Sequence, residues 1–243
     1  MSRTSARRTY DGFDLEHAIV KTRNRLKFRS RPKDNPSARK YFIIGHAKTG
    51  TTSFHYLFES AGLRSCHRSG FWDTANYDCF SDRGNYQPID LYKAYYPNAI
   101  FILNCRPLRA YLRSLAIHIG RYWYRHETLS PQAFINHAYR RNDYFARVAQ
   151  MFEGSKSFLV ANIQKKGMFA DVAQKLDLSI DQDEFHGKKT SVELETDLTK
   201  NLKEAIDRLD LCDKVDMPFI IPELLSDETR SKLGSIDHES CFL

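Results

Sequence analysis

Tyr41-Phe42-Ile43-Ile44-Gly45-His46-Ala47-Lys48-Thr49-Gly50-Thr51-Thr52-Ser53 is the stretch whose reading decides the fold. Its first four residues are a continuous apolar run closed by a glycine, which suits a strand buried on both faces better than a half-exposed one. A glycine-containing turn follows. Beyond it Phe54, Leu57, Phe58 and Ala61 recur at helical spacing, and Gly62 stands where a helix C-terminus favours a left-handed residue. The unit is therefore strand, tight loop, helix. In such a loop, backbone N–H groups and the positive end of the helix dipole can converge on an oxyanion, with the Thr51, Thr52 and Ser53 hydroxyls as further donors. The stretch reads as a phosphate cradle.

Working outward, the same alternation continues. Leu63 to His67 can form a short second strand, and Ala99 to Asn104 a buried one, with Arg106 and Pro107 at its end. Pro107 suits the first turn of a helix. Leu108, Tyr111, Leu112 and Leu115 then supply an apolar stripe from which Arg109 and Arg113 point away. Phe145, Val148, Ala149 and Phe152 mark another helix, Ser157 to Ile163 another strand, Phe169 to Leu176 a further helix, and Ser191 to Leu209 a C-terminal helix. Alternating strands and helices with apolar strands predict an α/β fold with a central parallel sheet, which binds ligands at the carboxyl ends of its strands. Residues 1–39 carry many bases with little periodicity and read as a basic N-terminal arm, a mobile segment or a short helix. The folded domain is expected over 40–243, with no internal repeat or low-complexity linker.

Composition narrows the function. The longest apolar runs fall far short of the roughly 20 residues of a membrane span, and the basic N-terminus lacks the apolar core of a secretory signal. The expected location is cytoplasmic. Five cysteines, odd in number and without a CxxC pair, support neither a disulfide framework nor a zinc site. A net charge of +7 favours anionic partners without choosing among nucleotide, acidic substrate, nucleic acid and membrane surface.

In nucleotide triphosphatases the loop lysine follows the second glycine and reaches the β and γ phosphates. Here Thr51 stands in that place, and Lys48 precedes the second glycine. Such a loop can hold one phosphate while aiming an ammonium at whatever is attached to it. Lys48-Thr49-Gly50-Thr51-Thr52-Ser53 resembles the 5′-phosphosulfate-binding loop of the sulfotransferases, Pro-Lys-Ser/Thr-Gly-Thr-Thr-Ser/Thr, with Ala47 in place of the proline. Phe101-Ile102-Leu103-Asn104-Cys105-Arg106-Pro107, followed by Ser114, is similar to that family's 3′-phosphate segment, where an arginine ends a strand and a serine follows eight residues later. The resemblance covers roughly residues 40–180.

The resemblance implies a three-layer P-loop NTPase-like fold. It also implies transfer of a sulfuryl group from 3′-phosphoadenosine 5′-phosphosulfate (PAPS) to an acceptor hydroxyl or amine, on a carbohydrate, an anionic substrate or another small molecule. The product would be 3′,5′-bisphosphoadenosine (PAP), and no metal is implied. Carried onto this chain, Lys48, Thr49, Gly50, Thr51, Thr52 and Ser53 would bind the 5′ end, with Lys48 acting in catalysis, and Arg106 and Ser114 would bind the 3′-phosphate. The family's soluble branch often places a tryptophan after the two threonines to stack on adenine. This chain has Ser53, so stacking must come from elsewhere.

The general base is not dictated, because relatives use histidine or glutamate at differing positions. His67, ending the second strand where the site should open, is the leading candidate, with Asp73, Glu59 and His118 as alternatives and His46 as a packing residue. Arg121 to His126 interleaves bases with aromatics and suits either a helix end or a sugar-lined or nucleic-acid-binding cleft. His186 to Lys189 could close over the donor. Arg140 and Arg141 read as a solvated face. Two other functions compete: a P-loop kinase or triphosphatase using ATP and magnesium, and a noncatalytic polyanion-binding protein.

Overall fold

Tyr41–Ile43, the central strand β1, is built from residues that each find apolar company on one face or the other. Tyr41 and Ile43 face Phe54, Leu57 and Phe58, while Phe42 stacks between Phe80, Tyr92 and Phe101 at ring-centroid distances of 5.1, 4.8 and 5.2 Å. Burying side chains of this size stabilises by about 1.5–3 kcal/mol each, which is why so short a strand holds its place. The computed structural model describes residues 11–67, 71–122, 130–180, 196–225 and 229.

The chain divides into two compact units, Gly12–Cys105 with Met151–Lys188, and Arg106–Gln150 with Lys189–Ile236. The first contains helix α1 (Asp11–Ser30, its first residue excepted), β1, α2 (Thr51–Ser60), β2 (Ser65–His67), β3 (Cys79–Ser81), α3 (Ile89–Tyr95), β4 (Ile100–Cys105), β5 (Phe158–Asn162) and α6 (Met168–Leu176). Its five strands are all parallel, in the order β2, β3, β1, β4, β5. Helices cover both faces. Phe54 and Leu57 of α2 pack with Met168 and Val172 of α6 against Ile43, Ile102 and Leu159. On the opposite face Tyr92 of α3 meets Phe42, and Phe28 of α1 meets Tyr92 edge-on at 4.6 Å.

This is the expected parallel α/β sheet, with three departures in detail. β3 inserts between β2 and β1 although its three residues are too few to show a period. α3 is two turns long, below the length at which periodicity is legible. The basic N-terminal segment carries a 20-residue helix, anchored by Phe28 and by Arg31, whose guanidinium lies 3.4 Å from the Phe28 ring centre and 4.2 Å from that of Tyr95. Gly62 does adopt the left-handed conformation, φ 75°, just past α2.

The second unit is helical: α4 (Leu108–Tyr122), α5 (Pro131–Met151, its last residue excepted) and α7 (Thr196–Leu209). Leu108, Tyr111 and Leu112 of α4 pack with Phe134 and Ala138 of α5 and with Leu198, Leu202 and Ala205 of α7. Arg109 and Arg113 are exposed, as the stripe requires. Arg141 corrects the expectation of a solvated face: it is 0% exposed. Its guanidinium donates to the carbonyls of Arg106, Phe219 and Pro218 at 2.8, 3.2 and 2.5 Å. Helical spacing places Arg141 on the inner side, and backbone carbonyls from the returning chain satisfy its donors. No described helix is long and apolar enough to cross a membrane.

Candidate anion-binding site

The topology singles out one strand end. From β1 the chain leads through α2 to β2 on one side, whereas from β4 it leads on to β5 on the other, so connections leave these neighbouring strands in opposite directions. In open parallel sheets ligands bind in the crevice at such a reversal, outside the carboxyl ends of the strands. Residues 45–50 leave β1 at that point and lead into α2.

Two left-handed residues shape the loop, Lys48 at φ 72° and Gly50 at φ 91°. Residues of opposite backbone hand in succession turn their N–H groups to one side, the basis of an anion-binding nest. Gly50 caps α2 without any side-chain hydrogen bond, and no acidic residue stands in the first turn. The amides of Thr51 and Thr52 begin the helix, where no intrahelical acceptor exists. The amides of Ser53 and Phe54 already turn back to the Gly50 carbonyl, at 3.0 and 3.2 Å. A helix start with neither a side-chain cap nor a carboxylate favours an anion through its dipole and its amides together.

The side chains divide the work. Lys48 and Ser53 are half-buried. Thr49 is fully buried, and its hydroxyl donates to the His46 carbonyl at 2.6 Å while accepting from Asn104 Nδ2 at 2.7 Å. That hydroxyl is engaged within the loop, so Thr49 contributes its backbone and its bracing. Thr51 is buried, whereas the Thr52 hydroxyl lies 3.2 Å from His67 Nε2.

His67 ends β2, and its ring is fixed from both sides. His67 Nδ1 pairs with Ser81 Oγ at 2.8 Å, and Ser81 Oγ lies 3.5 Å from the Cys66 carbonyl. A ring nitrogen of His67 thus stands one hydroxyl away from the loop. The His55 ring stacks on His67 with centroids 5.3 Å apart. His55 Nδ1 meets Ser65 Oγ at 2.9 Å, and its Nε2 lies 3.4 Å from Glu59.

The other candidates are distributed differently. Glu59 is exposed on α2, and Asp73 accepts from Asn76 at 2.8 Å. Arg106 and Ser114 belong to the helical unit, Arg106 just ahead of α4 and Ser114 half-buried on that helix, off its apolar stripe. Burial pushes the Arg106 guanidinium below its ordinary pKa. His118 is half-buried on the same helix. The side chains of Arg121 to His126, and all of His186 to Lys189, lie outside the described residues. Asn104, Ser81 and His55 were not anticipated as site residues. For Asn104 a signal existed, one polar residue within the apolar run from Ile100 to Cys105, whereas Ser81 and His55 are recognisable only once β2 and β3 pair.

A scan against protein-family models finds no match, and a search of curated proteins finds no relative of this chain.

Proposed function

We propose that the protein is a sulfotransferase that uses PAPS as donor, built on a three-layer P-loop NTPase-like fold. One observation carries the reading: the loop between β1 and α2 combines two left-handed residues with a helix start that has no side-chain cap, and its lysine is itself one of those residues, two positions before Gly50. A lysine on the loop's own curve suits a charge that develops on an oxygen attached to the held phosphate.

In this reading the acceptor oxygen attacks the sulfur, the bond from sulfur to the bridging oxygen of the 5′-phosphate breaks, and that oxygen leaves with the electron pair as part of PAP. The amides of residues 50–52 hold the 5′-phosphate and Lys48 stabilises the bridging oxygen, where preorganised donors act most strongly. The family resemblance assigns the 3′-phosphate to Arg106 and Ser114, with Arg106 offering a charge-assisted fork. His67 Nε2 accepts the acceptor's proton, directly or through the Thr52 hydroxyl, and Ser81, 2.8 Å from Nδ1, holds the ring in place. No metal takes part in this scheme.

Thermal unfolding with PAP, beside ATP with magnesium, tests the proposal. At a hundred times Kd a ligand adds about 2.7 kcal/mol of apparent stability, a shift on the order of 5 to 11 °C for a chain of this size. A shift with PAP alone is expected. A shift with ATP and magnesium alone would replace the proposal by a kinase or triphosphatase, and no shift with either by a polyanion-binding protein.

A further inference from the structure

One buried side chain holds the strand-to-helix loop at both ends. Asn104, next to last in β4, is 0% exposed. Its Oδ1 accepts the Gly45 N–H at 2.8 Å, and its Nδ2 donates to the Thr49 carbonyl at 2.9 Å and to the Thr49 hydroxyl at 2.7 Å. A primary amide has two N–H donors and one carbonyl, and all of them are used on the two flanks of the loop. The Thr49 hydroxyl extends the brace to the His46 carbonyl.

Gly45 is part of the same fitting. A Cβ at that position would lie 2.2 Å from the Asn104 carbonyl oxygen and 2.3 Å from its Oδ1, so any side chain there would push the two strands' ends apart. The sheet does not itself demand an amide at position 104. Its neighbours Ile102, Leu103 and Cys105 are buried apolar residues, and a buried amide is costly unless all its polar atoms are paired. What the amide supplies is the loop's shape.

We propose that Asn104 is a positioning residue that preorganises residues 45–50, so that the loop amides and Lys48 stand in anion-holding geometry before the donor arrives. This rests on the reading of the loop as the donor's 5′-phosphate site. Asn104 acts through Gly45 and Thr49, and a loop held in advance spares the ligand the cost of ordering it.

Four variants test the inference: Asn104→Asp, Asn104→Ala, Thr49→Val and Thr49→Ser. Asn104→Asp keeps the size but sets an oxygen in place of the donor against the Thr49 carbonyl. Thr49→Val removes the hydroxyl that meets both Asn104 Nδ2 and the His46 carbonyl while keeping the Thr49 carbonyl, and Thr49→Ser retains it. Two readouts are needed, amide hydrogen exchange over residues 45–54 in the ligand-free protein and the Kd for PAP by calorimetry. In Asn104→Asp, Asn104→Ala and Thr49→Val the loop amides should exchange faster while β5 amides keep their protection. Their Kd should weaken by about tenfold or more, and that of Thr49→Ser should stay within about threefold of wild type. Loop exchange unchanged, or exchange accelerated with Kd within about twofold of wild type, overturns the inference. Should the Asn104 variants fail to unfold cooperatively, the Thr49 pair decides by the same criteria. Wild-type protein that does not bind PAP would overturn the proposed donor while exchange still decides whether Asn104 braces the loop.

Discussion

Lys48 holds a left-handed backbone that side-chain-bearing residues adopt at some cost, and such strain tends to persist where the surrounding structure enforces it for a purpose. Alanine bears the same Cβ, so Lys48→Ala should leave the unfolding midpoint nearly unchanged. Turnover should drop by about 10²–10³ if the ammonium meets charge that develops only at the transition state. Steady-state kinetics beside PAP binding separates the two effects: a loss of donor affinity equal to the loss in kcat would remove the transition-state role. Gly50 poses the opposite case. It has φ 91°, and an added Cβ would lie 2.8 Å from Ile163 Cδ1. Gly50→Ala should therefore destabilise by about 1–3 kcal/mol, read from urea unfolding. An unchanged midpoint would mean that the loop relaxes without resistance.

At the scale of elements, α5 governs the returning chain around residue 220. Arg141 bonds the Pro218 and Phe219 carbonyls, and Asn142 makes a paired bond with Ile221, donating to its carbonyl at 2.8 Å and accepting from its amide at 2.6 Å. Arg141→Ala strands three carbonyls in the interior and should cost roughly 2–5 kcal/mol, visible as a lower denaturation midpoint. A loss below about 1 kcal/mol would show that water or rearrangement replaces the guanidinium. The same helix carries a pH dependence. Burial, assisted by the nearby Arg140 cation, pulls the His137 imidazole down to about 4. The folded chain then keeps this ring neutral where the unfolded chain takes up a proton. Its stabilisation is complete above about pH 6.5 and fades as pH falls towards 4, with a ceiling of ~3 kcal/mol. His137→Gln should flatten the stability profile between those limits. Identical slopes in variant and wild type would assign the acid sensitivity to another group.

At the scale of the whole molecule, a net charge of +7 acts at long range and is screened by salt, whereas a bisphosphate held by loop amides depends on a few short contacts. A polyanion spanning many contacts should lose on the order of 10³ in affinity between about 50 and 200 mM salt. PAP should lose far less, and equal salt slopes would favour the polyanion-binding alternative. The alternation of apolar runs with helical stripes determined the parallel α/β class by itself, because strands buried on both faces and helices buried on one leave different periods in the sequence. The loop between β1 and α2 was equally legible, since glycine spacing and hydroxyl residues are local chemistry. Tertiary structure alone decided the rest. β3 is too short to carry a period, and its place beside β1 depends on Phe80 meeting Phe42. The orientation of the His67 ring depends on Ser81 arriving from that same strand. Arg141, a charged residue in a polar-looking stretch, is buried because carbonyls some 77 residues later in the chain satisfy it. Asn104 becomes a brace only when β4 lies next to β1. Pairings between distant residues leave no local pattern, and packing creates them.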